Sequence, residues 1–269
     1  MEVCDTLGKI WKAEADSRAP YIPREQVTPE PKLYTDYSSV IFAGDGMYAV
    51  KNGFVHTPTL VRISPDGKEK FLAYMSPQSS ELRADAEGGL WWSENRNDER
   101  WSLETGSAVK RRKGMKPRRS GKNSLKYNPA PSPVGSVFSV SEYRITGETG
   151  LNILDDSGCI LQTFDVPDSL QIVQTAWMTE KDIYASAISE NGYGIYHMDI
   201  QEGIWTNILH PQPVMIKDLR TYGEVLTFVS DRTGVNELYH LNPTTGDLRQ
   251  KTSTRHGGES FCYSPNGEY

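Results

Sequence analysis

Cysteine is scarce in this chain and badly placed for chemistry. Cys4, Cys159 and Cys262 are odd in number, far apart and free of any C-x-x-C spacing, which excludes a disulfide framework and a zinc knuckle. Cys159 and Cys262 read instead as buried strand residues. Long apolar runs are missing too. No segment approaches the roughly 20 residues that a membrane-spanning helix needs, and the opening "MEVCDTLGKIWK" has neither the basic start nor the apolar centre of a signal peptide. Histidine is limited to five scattered positions, His56, His197, His210, His240 and His256. G-x-S-x-G, H-E-x-x-H, the P-loop and G-x-G-x-x-G do not occur. No catalytic residue, metal site or cofactor is therefore expected within these residues.

Charge is unevenly distributed. The formal net charge is −6, yet "KRRKGMKPRRSGKNSLK" (110–126) holds nine Lys or Arg and no acid, leaving 20 basic against 35 acidic residues elsewhere. A nucleic-acid protein would be basic overall, and this run has no aromatic residue to stack on bases. It reads as a solvated outer strand or loop, with acidic lipid or a partner protein as a lesser alternative.

What the chain has in quantity is aromatic residues, with 14 Tyr and 6 Trp, and turn formers, with 23 Gly and 16 Pro. The first favour strands and the second favour tight connections. Small polar turns recur as "AGDG" (43–46), "AEGG" (86–89), "SPVG" (132–135), "TEKD" (179–182), "TYGE" (221–224) and "SPNG" (264–267). Gly46 to Gly89 is 43 residues, Gly89 to Gly135 is 46, Gly135 to Asp182 is 47 and Gly223 to Gly267 is 44. A second marker follows one strand later: "WSENR", "VSEYR", "ISENG" and "VSDRTG", with serines at 93, 141, 189 and 230. Two markers sharing a period in the mid-forties predict an all-β propeller of four-stranded blades. Blades are expected at about 37–74, 80–122, 124–164, 170–209 and 214–252. The first strand of a sixth opens near Phe261, and the ring as a whole is six-bladed. Residues 1–32 form a separate N-terminal part. Val3, Leu7, Ile10 and Trp11 fall at helical spacing, and a connector with four prolines follows. The propeller occupies 33–269. Its sixth blade lacks three strands, so the chain is expected to be a segment of a larger protein.

"SPNGEY", "SPDGKEK" and "VSDRTGVNELYHLNPTTGDLRQKT" resemble the WD40-like (PD40) repeats of TolB-like propellers, and similar blades occur in prolyl-oligopeptidase-type and tricorn-type peptidases. "YTDYSSVIFAGDGMYAVKNG", "WWSENRNDERW" and "KTSTRHGG" are similar to the propeller segment of large cell-envelope proteins of Bacteroidetes-type bacteria. The resemblance implies the periplasm or cell envelope and a protein or peptide partner. "SPVG" departs from the repeat, with Val134 where Asp is usual.

The loops between second and third strands all open on one end of their blades. Glu94, Arg96, Glu142, Arg144, Glu190, Asp231 and Arg232 are thus the candidate binding residues, as a ring of carboxylates and guanidiniums able to hold a peptide. The competing expectation is that each acid caps its own hairpin or pairs with its neighbouring Arg. His197 and His240 occupy equivalent third-strand positions and read as packing residues. The functional expectation is a non-catalytic scaffold for protein or peptide partners, with no nucleic acid and no membrane span. The alternative is the accessory propeller of a peptidase whose catalytic domain lies outside this chain.

Overall fold

The computed structural model describes residues 2–17, 27–29, 33–44, 46–54, 56–77, 79–94, 107–111, 118–120, 125–134, 137–144, 147–167 and 169–264. Five four-stranded antiparallel sheets follow one another along the chain. Blade one is β1 (Thr35–Ala43), β2 (Gly46–Gly53), β3 (His56–Ile63) and β4 (Glu69–Tyr74). Blade two is β5 (Arg83–Ala84), β6 (Leu90–Glu94), β7 (Ser107–Arg111) and β8 (Arg118–Ser120). Blade three is β9 (Leu125–Pro131), β10 (Val137–Tyr143), β11 (Thr149–Asp155) and β12 (Ile160–Asp165). Blade four is β13 (Gln171–Trp177), β14 (Asp182–Ser189), β15 (Gly192–Asp199) and β16 (Ile204–Gln212). Blade five is β17 (Ile216–Tyr222), β18 (Val225–Ser230), β19 (Glu237–Leu241) and β20 (Leu248–Gln250). Each blade is a meander, and the first strands of successive blades adjoin. The fold is a β-propeller.

Alternation along the strands explains how both faces of a sheet become buried. In β14, Ile183 and Ala185 join a core with blade three that contains Leu151, Ile153 and Trp177. Tyr184, on the other face, joins a core with blade five around Leu219, Leu226 and Phe228. A period of two residues sends neighbours to opposite sides of the sheet, so one strand serves two inter-blade layers. Ile41, Leu60, Leu82 and Trp92 fill the layer between blades one and two. Trp91, Phe138, Val140 and Leu154 fill that between two and three. The opposite face of blade one carries Ala49, Val61 and Ile63. Polar bonds also cross the layers, where the Trp177 indole N–H donates to Ala130 O at 2.9 Å and to Ser139 Oγ at 3.0 Å.

Two expectations need correction. Cys159 is exposed, because it lies in the 155–159 turn and its N–H donates to Asp155 Oδ1 at 3.0 Å. Near Phe261 the described residues take no regular strand, so Cys262, expected as a buried strand residue, is half-buried in irregular chain. Instead, Glu259 accepts from Lys217 of β17 and from Asn236, while Ser260 bridges the Asp218 side chain of β17 and the Val40 N–H of β1. Helix α1 (Glu2–Ser17) forms as its spacing predicts, and Leu7, Ile10 and Trp11 are exposed. No helix among the described residues is long and apolar enough to cross a membrane.

Candidate functional site

The inner strands share an irregularity. Their pairing with the second strand slips between Ser38 and Ile41, between Ile172 and Gln174, between Lys217 and Arg220, and in β9 opposite Ser139 and Ser141. Ser39, Asn128 and Asp218 sit at these bulges with φ of 52°, 51° and 53°. A non-glycine residue in the left-handed region is strained and has to be held there by its surroundings.

For Asp218 those surroundings are plain. Its side chain is 2% exposed, and it accepts from Arg83 of blade two at 3.0 Å and from Arg220 Nε at 2.6 Å. The Ser260 hydroxyl donates to its other oxygen at 3.1 Å, and Ser260 Oγ accepts from the Val40 N–H of blade one at 3.1 Å. Burial alone would raise the Asp218 pKa, but the charges of Arg220 and Arg83 outweigh it and hold the carboxyl below the usual range. Glu81 lies 3.9 Å from Arg83 and accepts from the Gln174 side-chain amide of blade four. Burial, reinforced by the charge of Asp218, pushes Glu81 up to about 7. Gln174 in turn accepts from the Leu219 N–H at 2.9 Å. Arg220 Nη2 is buried without a hydrogen-bond partner. Burial also pushes the Cys262 thiol up to about 11, which leaves it protonated and unreactive near neutral pH. These groups tie blades one, two, four and five together near the ring axis.

The loop end of the blades is arranged differently. Glu94 accepts from its neighbour Trp92 at 3.1 Å, and Asp231 accepts from the Met215 N–H at 2.8 Å. Glu190 is exposed in the β14–β15 turn. Arg232 lies over the Tyr239 ring at 6.0 Å, and its Nε and Nη2 are buried without a hydrogen-bond partner. Arg96 falls outside the described residues. Arg144 is the residue that gathers charge, with Glu142 at 3.3 Å and Glu148 and Asp165 each at 3.7 Å. It lines a cleft of about 870 Å³ between blades three and four, together with Thr149, Pro167, Ser169, Gln171 and Ser189. Of the predicted residues, Glu142 and Arg144 are thus brought together, while Asp231 and Arg232 contact residues of blade five. His197 pairs with Asp182 at 2.7 Å, and His240 with the Tyr263 hydroxyl, so each has its own structural partner. Among the described residues no three His, Cys, Asp or Glu side chains are placed to hold a metal.

The propeller fold recurs in solved structures. A puromycin-hydrolysing peptidase of Mycobacterium tuberculosis is similar over 85% of this chain and 39% of its own, at 14% identity and a TM-score of 0.62. A chain of a nidogen/laminin complex is similar over 82% of this chain and 83% of its own, at 10% identity and a TM-score of 0.57. Virginiamycin B lyase of Staphylococcus aureus is similar over 86% and 76%, at 15% identity and 0.53. At such identities the likeness shows the fold alone. The chain spans well under half the length of the peptidase. No family model and no curated protein sequence matches the chain.

Proposed function

We propose that this chain is a peptide- or protein-binding propeller of the TolB-like type, acting in the bacterial cell envelope as one segment of a larger, non-catalytic protein. The observation that carries the reading is the cleft between blades three and four. Its volume is within the roughly 300–1,000 Å³ range of ligand sites. Its lining mixes Pro167, Val166 and Leu170 with hydroxyls, an amide and the Arg144 ion-pair cluster. That mixture suits a polypeptide, whose backbone needs donors and acceptors along its length, better than it suits a compact apolar ligand. The test is a fluorescence-polarisation screen of a random peptide library. Binders should lose about tenfold or more in affinity to Arg144→Ala combined with Ser189→Trp, which removes the charge and fills the cleft, with little change in melting temperature. Binding unaffected by the pair would overturn the cleft as the site.

A second reading, the accessory propeller of a peptidase, is supported by the likeness to the puromycin-hydrolysing peptidase, of which the chain spans 39%. Adding this chain in trans to a catalytic domain encoded beside it would change that domain's peptide-length preference under this reading, and would leave it unchanged under the first.

A further inference from the structure

Of the basic run 110–126, residues 112–117 and 121–124 lie outside the described residues, and Lys126 is buried on β9. Charge is concentrated a second time at the cleft between blades three and four. Three carboxylates, Glu142, Glu148 and Asp165, stand around the single Arg144 guanidinium at 3.3, 3.7 and 3.7 Å. Lys126 lies opposite Glu142 across β9 and β10. With both cations set against the three acids, negative charge remains in excess. Exposure shows where the excess lies. The Glu142 side chain is 16% exposed, whereas those of Glu148 and Asp165 are 66% and 90% exposed, so it faces the water that a ligand would displace. The same field raises the Arg144 pKa above its usual value. The hydrogen bond to Glu142 acts first, and the charges of Glu142, Asp165 and Glu148 add to it against a lowering by burial. A cation is favoured at this spot, and an incoming carboxylate would meet two groups of its own sign beside Arg144.

A metal ion does not suit the arrangement. Among the described residues no three His, Cys, Asp or Glu side chains are placed to hold one, and Arg144 stands among these acids. The rest of the lining suits a long basic side chain. Pro167 and Leu170 give an apolar wall, and Tyr143, 40% exposed, gives an aromatic ring. Lysine and arginine lay a methylene stem on apolar surface while the charged head stays with polar partners, and a cation is attracted to an aromatic face. We propose that the cleft takes a polypeptide segment bearing a lysine or arginine side chain, with its stem on Pro167 and Leu170 and its charged head at Glu148 and Asp165. Arg144 holds these carboxylates together against their mutual repulsion. Selectivity for a basic segment rests on the peptide-binding reading above, and adds to it the sign of the ligand's charge.

The experiment uses three acetylated and amidated random-sequence peptide libraries that differ at one fixed central position, Lys, Gln or Glu, and contain no other charged residue. The libraries compete in one mixture for the immobilised full chain, and bound peptides are counted by mass spectrometry at low and at high salt. Lys peptides should be retained about threefold or more over Gln peptides, and Gln over Glu, as expected of exposed ion pairs. High salt should flatten the order. Glu148→Gln with Asp165→Gln should abolish the preference, and Glu148→Lys with Asp165→Lys should reverse it. Glu202→Gln with Glu224→Gln, the same change of charge at exposed positions outside the cleft, should keep it. Equal retention of the three libraries, or a preference for Glu, would overturn the proposal; loss of that retention in Ser189→Trp would show that the peptide reading survives it. A preference that persists in Glu148→Gln with Asp165→Gln would also overturn the proposal, because it would arise elsewhere on the chain. Retention of no peptide at all would sink both. If the lysine pair does not fold, the glutamine pair, which is close to isosteric, decides.

Discussion

At the scale of single residues, Asp218 matters most. It is buried in a strained backbone conformation and neutralises two arginines from different blades. Removing one partner of a buried ion pair leaves uncompensated charge, at a cost of about 3–5 kcal/mol. Asp218→Ala should destabilise by that order, and Arg144→Ala, at a partly exposed pair, by about 1 kcal/mol or less; urea denaturation of the two variants separates the cases. Glu81 gives a prediction in pH. Its folded pKa, about 7, lies above its unfolded value near 4.5, so the folded state binds more protons between those values and loses stability as pH rises through them. Glu81→Gln should remove that component. Relative to wild type, the variant should gain stability from pH 5 to pH 8 and then level off; an unchanged difference would mean that Glu81 titrates normally. None of this was legible in the sequence. Arg83 and Asp218 are 135 residues apart, and charged residues on an inner strand look like any solvated position until the ring brings them together. The repeat-equivalent bulges at 39, 128 and 218 were the available signal, masked because Ser, Asn and Asp occupy them in turn. The loop acids were legible by position, but their partners were not. Hydrogen-bond donors such as the Met215 N–H come from strand ends that no motif marks.

At the scale of elements, the period decided nearly everything. Turns and serine markers placed all five blades to within a few residues, because a tight turn needs particular residues and a four-stranded meander needs a fixed length. Cys159 was misplaced for the same reason in reverse: an apolar-looking residue near a strand sits in the preceding turn. Local geometry makes a sharp prediction in blade four. Gly192 has φ +104°, and a Cβ there would lie 2.0 Å from Gln212 O, a backbone atom that cannot yield without disturbing the β15–β16 ladder. Gly203, at φ +69°, has open space around it. Gly203→Ala should therefore cost only the left-handed penalty of about 1–2 kcal/mol, and Gly192→Ala distinctly more, with thermal melts of the two variants as the measure. Equal losses would show that strand β16 moves aside freely.

At the scale of the whole molecule, the question is what joins the fifth blade to the first. The sequence placed a first strand near Phe261, and the structure places side-chain bonds there. Lys217 pairs with Glu259 at 2.5 Å and Asn236 donates to it at 3.3 Å, while Ser260 links Asp218 of blade five to the Val40 amide of blade one. A hydroxyl thus does what a ladder of backbone bonds does between strands within a blade. Such a bond contributes about 0.5–1.5 kcal/mol net, and its loss should be felt locally before it is felt globally. Ser260→Ala deletes it without adding bulk. The Val40 amide should then exchange with deuterium roughly 2- to 10-fold faster, while the Ala185 amide, buried inside blade four, should keep its rate. Faster exchange at both positions by the same factor would mean that the ring opens as one cooperative unit. An unchanged rate at Val40 would mean that Ser260 does not join the two blades.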